Sequence, residues 1–88
     1  MIVIRITAIW CMSCLVMRNR YDKLFKTLDI DKVIDLDYDE DDLQDYDIGD
    51  VLPIVIIKND GKEIKRIIGE KGKKELKKIF EDINILAN

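Results

Sequence analysis

Both cysteines of this 88-residue chain lie in one short stretch, Ile9-Trp10-Cys11-Met12-Ser13-Cys14. Two thiols separated by two residues permit three chemistries: a redox couple, half of a metal site, or two inert core residues. The stretch follows an apolar run and opens a segment of helical period. Cys11 therefore stands where a strand hands over to a helix. First-turn N–H groups of a helix lack intrahelical partners and carry partial positive charge, which favours a thiolate. Such a place suits the first sulfur of a C-x-x-C to act as a thiolate nucleophile. The spacing lets Cys14, one turn on, reach back to Cys11 and close a disulfide. An exposed Cys11 would then attack a substrate disulfide, and Cys14 would resolve the mixed disulfide. Neither step needs an imidazole, and the chain has no histidine. C-x-x-C is also a common metal-ligand spacing. Zinc requires four ligands, so it would have to recruit carboxylates or a second chain. Copper(I) suits two soft thiolates and stays open as an alternative.

The elements that must position this pair fit one domain over 1–88. A chain of this length buries only about 60–65% of its unfolded surface. It is 48% apolar and 38% charged, with one proline and four glycines. No segment approaches the ~20 apolar residues of a bilayer span. The start, MIVIRITAIW, is interrupted by Arg5 and Thr7 and lacks the marks of a secretory leader. The expectation is a cytoplasmic protein, in which paired cysteines serve catalysis or metal binding rather than a structural staple. The net charge of −3 conceals an asymmetry: residues 35–50 hold nine acids and no base, and residues 58–78 hold nine bases against four acids. These read as two solvated faces that attract each other and can steer partners. Nucleic-acid binding is excluded, because Glu63, Glu70 and Glu75 dilute the bases and no aromatics are interleaved with them.

Alternation predicts a strand over residues 2–9. Cys14, Met17, Tyr21, Leu24 and Leu28, with Phe25 beside them, form one face of a helix. A second strand follows over Val33–Tyr38. The acidic stretch 39–47 leaves room for a turn or two of helix. Val51–Lys58 is a third strand, and Asn59-Asp60-Gly61 signals a hairpin, so Lys62–Ile68 returns antiparallel. A final helix runs from Lys73 to about Leu86, with Leu76, Ile79, Phe80, Ile83 and Ala87 as its apolar stripe. The string is β-α-β-(short α)-β-β-α. It predicts an α/β fold with a four-stranded mixed sheet, its first two strands parallel and both longer helices on one face. On the first strand Ile2, Ile4 and Ile6 are taken as the helix-covered side. Arg5, Thr7, Asp35 and Asp37 then fall on a face covered only by 39–47. An exposed Arg5–Asp35 pair across neighbouring strands there contributes ~0.2–1 kcal/mol.

With these features in order, the chain resembles the thioredoxin-fold family. The resemblance rests on Trp10-Cys11-Met12-Ser13-Cys14 between strand and helix, and on Val51-Leu52-Pro53-Ile54, which holds the sole proline. Tyr46-Asp47-Ile48, Lys58-Asn59-Asp60-Gly61 and Gly69 before the last helix add to it. It implies a thiol–disulfide oxidoreductase that reduces protein disulfides. Cys11 would be the nucleophile and Cys14 the resolving thiol, with no cofactor beyond the pair itself. It also implies a cis Leu52-Pro53 bond facing the cysteines, a Leu52 backbone that pairs with an extended substrate segment, and a Trp10 that shields the pair. Electrons would come from a thioredoxin-reductase-like protein or from glutathione, and the protein would act as a monomer. The chain departs from the family in lacking its amino-terminal strand and helix, which leaves a minimal, glutaredoxin-sized core. Arg5 stands where thioredoxins keep an acid, and Asp35 where they keep a lysine. The Met12-Ser13 dipeptide matches no subtype. A copper carrier would more usually have a methionine where Ile9 stands and would end in a strand. A thioredoxin-fold interaction module with regulatory cysteines is the third reading.

Overall fold

The computed structural model describes residues 1–87. Strand β1 (Ile2–Thr7) leads into helix α1 (Met12–Phe25) and strand β2 (Lys32–Asp37). A single 3-10 turn, Gln44–Tyr46, precedes β3 (Ile54–Asn59), β4 (Lys62–Ile68) and α2 (Lys73–Ala87). The sheet order is β2-β1-β3-β4, with β1 parallel to β2 and antiparallel to β3. The predicted four-stranded mixed sheet and its element order are therefore present. The Asp60-Gly61 turn closes the β3–β4 hairpin with both residues at positive φ, 54° and 78°, the backbone a two-residue hairpin demands.

Several boundaries move. β1 stops at Thr7, because Ala8 to Trp10 turn toward the helix. Leu52-Pro53 lies before β3 rather than inside it. The 39–47 stretch forms no α-helix. Its acids are occupied in turns instead. Asp37 Oδ1 accepts the N–H groups of Asp39 and Glu40 at 2.8 and 3.2 Å, and Asp42 Oδ1 accepts that of Gln44 at 3.1 Å. Such local bonds compete with helix formation.

The faces of the sheet are the reverse of the expectation. The helices cover the Val3 side: Val3, Val55, Ile57 and Ile67 pack with Met17, Tyr21, Leu76, Phe80 and Ile83. The isoleucine side, Ile4, Ile6, Ile54 and Ile56, lies under the segment that carries Tyr38, Leu43, Tyr46, Ile48 and Leu52. Arg66 ties that segment down, donating from Nη1 to the Asp47 carbonyl at 2.9 Å. The error arises because β1 is a central strand with both faces buried, so its alternation does not name the helix side. Ala87, the last expected member of the α2 stripe, lies outside the described side chains.

The reversal places Arg5 beneath the helices, only 6% exposed. Its Nε donates to Asp35 Oδ1 at 2.7 Å and its Nη1 to Asp22 Oδ1 of α1 at 2.9 Å. Its guanidinium also lies 5.6 Å from the Phe25 ring centre. Burial opposes the charge, but the hydrogen bonds to Asp35 and Asp22 outweigh it and hold the pKa above the ordinary value. The expected Arg5–Asp35 pair forms, yet at a buried cation with two carboxylates rather than on an open face.

Candidate active site

The turn after β1 brings Cys11 to the start of α1. Its backbone is extended, φ −91° and ψ 105°, as an N-cap residue requires. The capping acceptor is the sulfur: Cys14 N–H donates to Cys11 Sγ at 3.2 Å. The Cys11 N–H is satisfied by the Ala8 carbonyl at 3.1 Å. One N–H dipole of the first helical turn is thus aimed at the Cys11 sulfur, where it favours negative charge. Both cysteines are free thiols.

Cys11 is 7% exposed and Cys14 5% exposed. The expectation of an exposed Cys11 is corrected. Its chain neighbours Ile9, Trp10, Met12 and Leu15 are exposed. Cys14 lies deeper, in the same buried cluster as Ala8, Ile6 and Leu52. Burial, followed by the hydrogen bond with Cys11, pushes its thiol up to about 11, while a backbone hydrogen bond at Ala8 works the other way.

The structure brings Cys11, Cys14 and Leu52 into one cluster, with Pro53 fully buried beside them. The Leu52-Pro53 bond is cis. The Pro53 carbonyl accepts the Gly69 N–H at 2.9 Å, which joins this bend to the end of β4. Gly69 has φ +84°, and a Cβ there would stand 3.3 Å from Val51 Cγ1. Trp10 stands apart from the cluster. It is 59% exposed, its Nε1 donates to Asp39 Oδ2 at 2.6 Å, and its ring meets Tyr38 edge-on at 6.2 Å. The sequence reading missed Asp39. Its one signal is its place next to Tyr38, just past the end of β2, the strand that neighbours β1. A small pocket of about 130 Å³ opens on the inner side of the pair, lined by Thr7, Ala8, Cys14, Arg18 and Asp37 among others.

No helix among the described residues is long and apolar enough to cross a membrane. Nor do three or more metal-ligating side chains gather among them. Among solved structures the chain is similar to thioredoxin 1 from the thermophilic eubacterium Thermosipho africanus TCF52B. The TM-score is 0.78 at 23% identity, over 100% of this chain and 99% of that one. It is also similar to a mutant thioredoxin from Halobacterium salinarum NRC-1, with TM-score 0.77 at 21% identity over 94% of this chain and 74% of that one. Trxlp from Edwardsiella tarda EIB202 gives 0.78 at 23% identity, over 90% and 80%. Identities this low establish the fold alone. No curated protein matches the chain. The family model described as Thioredoxin, however, matches residues 1–82. It runs from β1 through the cysteine turn and the Leu52-Pro53 bend into α2, and by that match the chain belongs to the thioredoxin family.

Proposed function

We propose that the protein is a thiol–disulfide oxidoreductase that reduces protein disulfides through the Cys11/Cys14 couple. Family membership supports the general activity. The observation that carries the assignment to these residues is the capping bond from Cys14 N–H to Cys11 Sγ at a helix start. Cys11, as a thiolate, attacks one sulfur of the substrate disulfide. A Cys11–substrate disulfide forms and the other substrate sulfur leaves as a thiolate. Cys14 then loses its proton and attacks Cys11 Sγ. The Cys11–Cys14 disulfide closes and the second substrate thiolate departs. Two electrons pass to the substrate, and two protons complete its thiols. A dithiol donor of the thioredoxin-reductase kind, or two glutathione thiols, returns the couple to the reduced form. Trp10, Leu52 and Pro53 form the docking surface in this reading, with the Leu52 backbone pairing with an extended substrate segment. The site of action is the cytoplasm, where the glutathione poise keeps thiols reduced. No resident cofactor takes part, and the unit is a monomer.

The copper-carrier alternative gains no support from the family. The test is turnover of insulin disulfides with dithiothreitol as electron source, beside the potential of the couple in thiol–disulfide buffers. Catalysed turnover that disappears in Cys11→Ser, with a potential near thioredoxin's ~−270 mV, is the predicted result. A potential near or above ~−200 mV would make it a donor of disulfides rather than a reductant.

A further inference from the structure

A cavity lies on the side of the sheet away from the acidic 38–50 segment, between α1 and α2. Its volume is about 590 Å³, within the range of sites for small molecules. Its floor is closed by Leu76 and Phe80, and Val16 and Leu24 form apolar wall. Val16 is half exposed. Four cations stand around this apolar channel: Arg20 and Lys23 from α1, Lys73 and Lys77 from α2. Glu81 is the single acid on the lining. None of the four cations forms an ion pair among the described residues. The Arg20 guanidinium is fixed through Nη1, which donates to the Lys71 carbonyl at 2.9 Å and to Met17 Sδ at 3.6 Å. Such a concentration of unpaired cations stands out on a chain of net charge −3.

We propose that this interhelical groove binds a slender amphipathic anion, a single unbranched alkyl chain ending in a carboxylate. Charge complementarity names the head: four unpaired cations against one acid favour an anion. Shape names the tail. The apolar side chains Val16, Leu24, Leu76 and Phe80 line a volume of about 590 Å³, the size of a small-molecule site, which an alkyl chain fills. The lysine stems lie along the chain with their ammonium groups at the water edge, meeting the carboxylate.

The site is separate from the cysteine pair, so it can be tested without reference to disulfide exchange. The measurement is an NMR titration of the protein with decanoate below its micellar concentration, repeated with decanol and with Lys23→Gln/Lys77→Gln. The groove predicts saturable shifts centred on Val16, Leu24, Leu76 and Phe80. It also predicts at least tenfold weaker binding of decanol, and at least tenfold weaker binding of decanoate by the double variant. Decanol carries the test by itself should the variant not fold. Shifts that do not saturate, shifts centred elsewhere, or decanol binding equal to decanoate would each overturn the proposal. So would binding only to phospholipid vesicles and not to free decanoate.

Discussion

At the scale of single residues, the two thiols have different tasks and different surroundings. Both are buried, but Cys11 caps the helix and receives an N–H, whereas the Cys14 proton is held to about 11. Exchange runs through the thiolate, so closure by Cys14 is the step that pH limits. Burial raises the Cys14 thiol whether or not Cys11 is bonded to substrate, so stopped-flow decay of a Cys11 mixed disulfide should keep accelerating as pH rises from neutrality to about pH 9. A plateau near neutrality would contradict it. The same shift fixes a sign for stability. In the unfolded dithiol chain Cys14 releases its proton near 9.0, and in the folded chain near about 11. Its contribution is full below 9.0 and falls as pH rises through that window, because the unfolded state sheds the proton first. The cysteine spacing was legible in the sequence, and so was the place of the pair at a helix start. The burial of Cys11 was not, since it follows from Ala8 and Leu52 closing over the turn. The bond from Trp10 to Asp39 was not either, since it needs β1 and β2 side by side.

At the scale of elements, β1 holds the lesson about faces. Val3 and Arg5 alternate with Ile4 and Ile6, and both sets are buried. An arginine on one side suggested water there. The structure instead places Arg5 under α1 between Asp22 and Asp35, whose carboxylates stay about half exposed. The asymmetry gives a prediction in chemical denaturation. Arg5→Met removes the buried charge and leaves two carboxylates that water can reach, so stability should change by less than about 1 kcal/mol. Asp22→Asn/Asp35→Asn strands the buried guanidinium and should cost about 3 kcal/mol or more. Equal costs would contradict this reading of the trio. Asp35→Asn alone should leave the Cys14 closure rate unchanged, because Asp35 serves Arg5 and relays no proton. At the other end of the site, Gly69 joins β4 to the Leu52-Pro53 bend. Gly69→Ala should destabilise by about 1–2 kcal/mol from its left-handed backbone alone. It should also lower insulin turnover by pressing on Val51. A variant of full stability and full turnover would show that the close approach at Gly69 is unimportant.

At the scale of the whole molecule, the two charged halves were plain in the sequence, and the fold joins them at Arg66, which donates to the Asp47 carbonyl at 2.9 Å. The acids that look like a solvated run also cap turns, as Asp37 and Asp42 do. They lie beside the site, where Asp39 meets Trp10. Cystamine should therefore react with Cys11 faster than the anionic dithiodiglycolate does, and added salt should narrow the ratio. A ratio below one, or one that salt does not change, would show that the field at Cys11 is set elsewhere. The element order and the hairpin were readable because period, turn chemistry and apolar runs are local. Which layer covers which face was not, because helix docking is decided by contacts from α2, far along the chain.

The most direct test is to trap the intermediate. Cys14→Ser protein, mixed with native insulin and quenched with acid, is digested and analysed by mass spectrometry. The account predicts an insulin peptide joined through Cys11, stable because no second thiol resolves it, and no adduct in Cys11→Ser. An adduct absent from Cys14→Ser, or one formed at Cys14 in the Cys11→Ser protein at comparable rate, would contradict the assignment of Cys11 as the attacking thiol.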